Sequence, residues 1–311
     1  MAPPHASTGR TSAAGPSSGF VEVGDRVWVA RHEWYDVNVS VVGGSDGFVV
    51  VDTHASAAAA QAIVDDLGAL FGVGHRNRLL AIVNTHAHFD HVFGNDLIHR
   101  VCGPAPIYAH EGAAADIVTW GERLQQHCRA QAQAGQPEPR GEEFLATTLR
   151  GADRTFSSVA VLDLGDRAVE LVHPGRGHTG GDAIVHIPDA DVLLAGDLIE
   201  ESAARSAVPG FGTDCFPLEW PATLELVIGL TTGRTTLVPG HGAPVDRSFA
   251  EAQQGDLAIV AETIAQLARS GVPVEEALAA AEWPYPTEEL SQAVVRGYAQ
   301  LLPEGRQLPL A

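Results

Sequence analysis

The chain has 311 residues, 45% of them hydrophobic, with 39 Asp and Glu against 19 Lys and Arg for a formal charge of -20. That length suits one large core with a small appendage. The acidic surplus argues against a nucleic-acid phosphate backbone or an anionic membrane as the main partner, because either would meet mostly like charge, and no charge-free apolar run approaches transmembrane length.

Residues 1–20 are rich in Pro, Ser, Ala and Gly and lack the basic start and apolar centre of a signal peptide, so a disordered tail is expected there. Val27 to Arg31, Val37 to Val42 and Phe48 to Asp52 read as short strands, with glycines turning the chain between the last two. Ser56 can cap a helix through Phe71, whose Ala59, Ile63, Leu67 and Leu70 recur at helical spacing. Leu79 to Val83 is a continuous apolar strand that delivers Asn84-Thr85-His86-Ala87-His88-Phe89-Asp90-His91 at its carboxyl end. Pro106 to Ala109 is a further strand candidate, and Glu111 to Gln133 a helix. From Ala134 to Phe156 no clean period survives, so about 111–156 reads as an insertion ending in a long surface excursion.

Strands are predicted at Ser158 to Leu164, Ala168 to His173, Ala183 to Ile187, Val192 to Ala195 and Thr235 to Val238, with a helix at Glu219 to Leu230. Helices are then expected at Phe249 to Ser270, Val274 to Ala280 and Glu288 to Leu302. Alternating strands and helices give an α/β class. The expected division is a catalytic domain at 21–248 and a helical extension at 249–311 packed on it, its helices candidates for a homodimer contact. Cys102, Cys128 and Cys215 are scattered and odd in number, which gives no disulfide framework and fits a reducing, cytoplasmic location.

His86, His88, Asp90 and His91 are packed too tightly to build a core, and the three imidazoles would repel one another as cations; bound metal is the simplest arrangement that holds them. His86 and His88, two apart, can reach one ion, and Asp90 and His91 a second. The remaining ligands must be distant, and the candidates are His178 in GRGHTGGD, Asp197 in LLAGDLI and His241 in VPGHGAP, each after a strand and beside glycine. Imidazole with carboxylate suits zinc, with iron or manganese also compatible.

This ordered set resembles the metallo-β-lactamase-fold hydrolase superfamily: His86, His88, Asp90 and His91 match its HxHxDH signature, and His178, Asp197 and His241 its other metal positions. The resemblance spans roughly Val27 to Pro244 and implies a four-layer αββα sandwich with two divalent ions at one edge. It implies that His86, His88 and His178 hold one ion, that Asp90, His91 and His241 hold the other, and that Asp197 bridges them. Asp90 and Asp197 are then the catalytic carboxylates. An aspartate at 197 resembles glyoxalase II and departs from the true zinc β-lactamases, where a cysteine commonly stands.

The resemblance also places Asp52 beneath the site, followed by His54 where relatives often carry glycine. Thr179 is a candidate to orient His178 or shape its turn. Trp34 and Phe89 lead the pocket candidates, with Tyr35, Phe93, Phe211 and Trp220 behind them. The implied activity is attack by a metal-bound hydroxide on a carbonyl of a small ester, thioester, lactone or amide, with a small-molecule substrate and no organic cofactor. The alternatives are a mononuclear iron oxidoreductase resembling persulfide dioxygenases, and a catalytically silent, metal-stabilised binding protein.

Overall fold

The computed structural model describes residues 19–72 and 78–301; the tail expected at 1–20 therefore lies almost wholly outside the described residues. Seven strands form one sheet in chain order: β1 (Val21–Gly24), β2 (Val27–Arg31), β3 (Asn38–Gly43), β4 (Phe48–Val51), β5 (Leu79–Val83), β6 (Ile107–His110) and β7 (Arg154–Phe156). The first four pair antiparallel; β4 through β7 run parallel. The second sheet has the order β12 (Thr236–His241), β11 (Val192–Glu200), β10 (Ile184–Ile187), β9 (Ala168–Val172) and β8 (Val159–Asp163), with only the β11–β12 pair parallel.

Strand alternation builds the layers. Val49, Val51, Ala81 and Val83 on the first sheet meet Leu171, Val185, Leu194 and Val238 on the second, making the central apolar layer. The opposite faces are covered by helices. Phe48, Val50 and Ile82 pack under α1 (Ala57–Phe71) and α3 (Asn95–Cys102). Ile184, Leu193 and Leu237 pack under α6 (Trp220–Gly229), α7 (Arg247–Arg269) and α9 (Ser291–Leu301). The result is two mixed sheets flanked by helices. Each fully buried aliphatic side chain contributes about 1.5–3 kcal/mol, so Leu257, Val260 and Ile264 of α7 make the C-terminal helices part of the same core.

The helix ends follow their caps. Ser56 Oγ accepts from Ala59 N (3.0 Å) and Asp246 Oδ1 from Phe249 N (3.0 Å), starting α1 and α7 where a short polar side chain satisfies an orphan donor. The excursion expected at 134–156 is more ordered than its sequence suggests. After α4 (Glu111–Gln133) the chain forms α5 (Gly141–Ala146) and returns as β7 at the sheet edge. Gln125 Nε2 donates to Phe144 O and Thr147 O, both at 2.8 Å, and Phe144 is buried, so tertiary contacts define α5 where local periodicity does not.

The sheets are tied together at one edge by Asn38, whose Nδ2 donates to Pro239 O (2.9 Å) and Gly242 O (2.8 Å). That tie joins the start of β3 to the carboxyl end of β12.

Candidate metal centre

Four chain segments deliver the ligand atoms to this edge. His86 and His88 follow β5; Asp90 and His91 occupy the one-turn helix α2 (Phe89–Val92); His178 lies in the β9–β10 loop; Asp197 sits within β11, and His241 ends β12. Two groups result, one of His86, His88, His178 and Asp197, the other of Asp90, His91 and His241, with ligand atoms in each group within 4.8 Å of one another. Asp197 stands between them: Oδ1 is 3.1 Å from His91 Nε2, while Oδ2 is 3.1 Å from His241 Nε2 and 3.4 Å from His178 Nε2. Gly240 makes this approach feasible, because a Cβ there would collide with Asp197 Oδ1.

Every imidazole is fixed through the nitrogen that faces away from its group. His91 Nδ1 donates to Asp52 Oδ2 (2.8 Å), and Asp52 also accepts from the Thr85 backbone (2.8 Å) and hydroxyl (2.7 Å). The Thr85 hydroxyl, its proton directed at Asp52, accepts from His86 Nδ1 (3.0 Å). His88 Nε2 donates to Asp214 Oδ2 (3.0 Å), His178 Nδ1 to Gly210 O (2.7 Å) and His241 Nδ1 to Tyr35 O (2.7 Å). These acceptors select the tautomers that leave His86 Nε2, His88 Nδ1, His178 Nε2, His91 Nε2 and His241 Nε2 with a lone pair directed inward.

Divalent cations fit this arrangement. His86 Nε2 and Asp197 Oδ1 are buried with no hydrogen-bond partner, a costly state for polar atoms unless an ion supplies the contact. Charge tells the same story. Burial alone would raise the Asp197 pKa, yet the His241, His91 and His86 imidazoles hold its carboxyl well below the usual range. Burial likewise opposes a proton on His241, yet Asp197 and Asp90 carry its pKa up to about 9, so without an ion the site gathers positive charge as protons.

The other predicted residues sit around this centre in different ways. Asp52 holds the His91 ring, as described. His54 adopts a left-handed φ of 71°, a conformation that favours glycine, and its ring lies 4.7 Å from that of His32 and 5.6 Å from that of Trp34. Trp34 stacks on Phe144 with centroids 5.7 Å apart. Thr179 donates its hydroxyl to Asp182 Oδ1 (2.6 Å) and receives the Gly181 N–H (3.1 Å), so it builds the turn, while Gly210 O orients His178. Burial pushes the Asp182 carboxyl up to about 7. Trp220 lies in the core beneath the site, its Nε1 donating to Leu198 O (3.2 Å), and does not line a pocket.

Two cavities flank His88. One, of about 290 Å³, is lined by Phe89, Trp120, Arg123, Leu124 and His127 besides His88. The other, of about 310 Å³, has His178, Val208, Pro209, Phe211 and Glu289 among its lining residues. Asp214, Gly210, Trp120 and Glu289 carry no local signature in the sequence; each acquires its role from a neighbour far away in the chain.

A model of the Metallo-beta-lactamase superfamily matches residues 32–243. The chain is similar to the metallo-beta-lactamase type 2 of Bacillus cereus, at 25% identity over 213 residues covering 68% of this chain and 69% of that protein. It is also similar to the acyl-coenzyme A thioesterase MBLAC2 of Gallus gallus, at 26% identity over 231 residues covering 71% and 74% respectively. Among solved structures, a metallo-beta-lactamase from Pontibacter korlensis superposes with a TM-score of 0.58 at 18% identity, covering 76% of this chain and 97% of the other.

Proposed function

Because this chain belongs to the metallo-beta-lactamase superfamily and is a metal-dependent hydrolase, we propose that it uses two zinc ions to cleave a carbonyl-linked bond in a small ester, thioester, lactone or amide. The observation that carries this reading is the Asp197 carboxylate, set between two buried ligand groups with Oδ1 facing His91 of one and Oδ2 facing both His241 of that group and His178 of the other. Two divalent ions held there supply Lewis acidity and a water acidic enough to attack near neutral pH. Asp197 fixes the separation of the two groups. Asp90 Oδ2, 3.4 Å from His241 Nε2, is placed to hold the proton of the attacking water. The anchored imidazoles keep this geometry from relaxing between turnovers, which is how preorganised charge lowers a barrier.

Asp197 is also the feature shared with glyoxalase II, and it favours esters and thioesters over lactams as substrates. The relatives reported above are a β-lactamase and an acyl-coenzyme A thioesterase, so kinship with glyoxalase II rests on this carboxylate alone. A panel of thioesters, lactones and β-lactams, assayed with protein of known metal content, tests the reading. Turnover is expected with two ions per chain. Asp197→Ala is expected to stay folded by circular dichroism and to lose more than the roughly 10–100-fold typical of removing an outer partner of a ligand. No turnover across the panel with both ions bound would leave the silent binding protein. A single iron and oxygen uptake with a persulfide would leave the oxidoreductase.

A further inference from the structure

The C-terminal region reaches the cavity beside His88 and His178 through Glu289. Tyr285 lies against Phe211 with centroids 6.4 Å apart, and Leu290 is fully buried in the core beneath α9. Between them a 3-10 turn, Thr287–Glu289, is held at the mouth of the 310 Å³ cavity, and Glu289 joins the lining with His88 and His178. Among the described residues no Arg lines this cavity, and the whole chain contains no lysine. Glu289 lies beyond residue 243, where the family match ends.

We propose that Glu289 is a specificity residue that selects, by charge, the part of the substrate entering this cavity. It favours a cationic group, such as a quaternary or primary ammonium, over a neutral one, and disfavours a carboxylate or phosphate. The inference deepens the hydrolase reading and rests on it for the word substrate. Two walls of the cavity are imidazoles whose lone pairs are committed inward and whose outer nitrogens are bonded to Asp214 and Gly210. Beside the charge of the bound ions, which the ligand set partly offsets, the Glu289 carboxylate is thus a side-chain charge outside that set that an incoming group meets. The cavity on the other side of His88 carries the opposite sign at its rim, with Arg123 lying 5.0 Å over the Trp120 ring. The cleft is polarised across the reacting centre, and one orientation of a polar substrate is preferred over its reverse.

The test uses the metal-loaded full chain and three thiols of similar size: 2-(trimethylammonio)ethanethiol, 2-methoxyethanethiol and 3-mercaptopropionate. Their affinities are measured by calorimetry, which needs no turnover. Glu289→Gln is expected to lower the ratio of cationic to anionic affinity about three- to fivefold, the size of an exposed charge pair. About 0.5 M salt should abolish that change. Glu289→Arg should lower the ratio further. A ratio that Glu289→Gln leaves unaltered would overturn the assignment. The matching thioesters separate the two readings. A ratio that falls in Glu289→Gln without hydrolysis of any thioester sinks the hydrolase reading alone, and hydrolysis with an unaltered ratio sinks only the role of Glu289.

Discussion

A histidine that gives one nitrogen to a metal needs its other nitrogen held, or the ring turns and the site loosens. Here the five rings use five different acceptors, and the acceptors are unequal. Asp214 accepts from His88, whereas Asp52 holds His91 directly and His86 through the Thr85 hydroxyl. Asp214→Ala is therefore expected to weaken metal in the three-histidine group about 10–100-fold and spare the other group, while Asp52→Ala should weaken both. Competition with a chromophoric chelator reads the two affinities separately, and equal losses in the two variants would contradict the wiring. The ligands were legible in the sequence because four of them fall within His86–His91, where no structural role explains so many polar groups. Asp214 was illegible because its meaning depends on a partner 126 positions earlier in the chain.

At the scale of elements, the segment before β3 behaves as a strap on the second ligand group. Tyr35 and Asp36 both have left-handed φ, 65° and 56°, a conformation that costs energy for a side-chain-bearing residue. Arg31 holds that bend by a two-point ion pair with Asp36, its Nη2 2.8 Å from Oδ2, and the Tyr35 carbonyl so presented anchors His241. Arg31→Met keeps the bulk and removes the pair. It should cost about 1.5–3 kcal/mol in urea unfolding and lower metal affinity in the Asp90, His91 and His241 group, whereas a stability loss with unchanged metal affinity would show that the strap does not reach the site. Long elements such as α7 could be read from apolar spacing, since twenty-three residues repeat the pattern many times over. β1, β7 and α5 could not, because three to six residues hold at most two periods and tertiary partners alone define them. The strap is legible only once β12 is known to lie beside it.

For the molecule as a whole, the buried centre links metal, protons and stability. In the metal-stripped protein the His241 pKa, up at about 9 despite burial because of Asp197 and Asp90, exceeds its unfolded value near 6.5. His91 is raised in the same sense, by Asp197 and Asp52 against the opposing effect of burial. A raised pKa stabilises the fold fully below the unfolded value, and that contribution is lost as pH climbs through the folded one. Stripped protein should therefore lose stability between about pH 7 and 9, on the order of 3 kcal/mol at most from His241. Against the opposing effect of burial, His88 is raised as well by its bond to Asp214, and adds to the loss in this window. Burial lowers His32 and His54 to about 4 and about 3, so their contribution, lost as pH falls below 6.5, is constant above it. Asp182 finishes titrating soon above about 7, and Cys215, raised by burial to about 12, acts only once an unfolded thiol ionises near 9. Metal-loaded protein should behave in the opposite way, because protons compete with the ion for the same nitrogens and affinity rises as they leave. Binding at a thousandfold excess over the dissociation constant adds about 4 kcal/mol, so the effect is within reach of a melting experiment. The gap in melting temperature between loaded and stripped protein should widen from pH 7 to pH 9, and a gap that stays constant would mean that His91 and His241 do not hold in protons the charge that metal replaces.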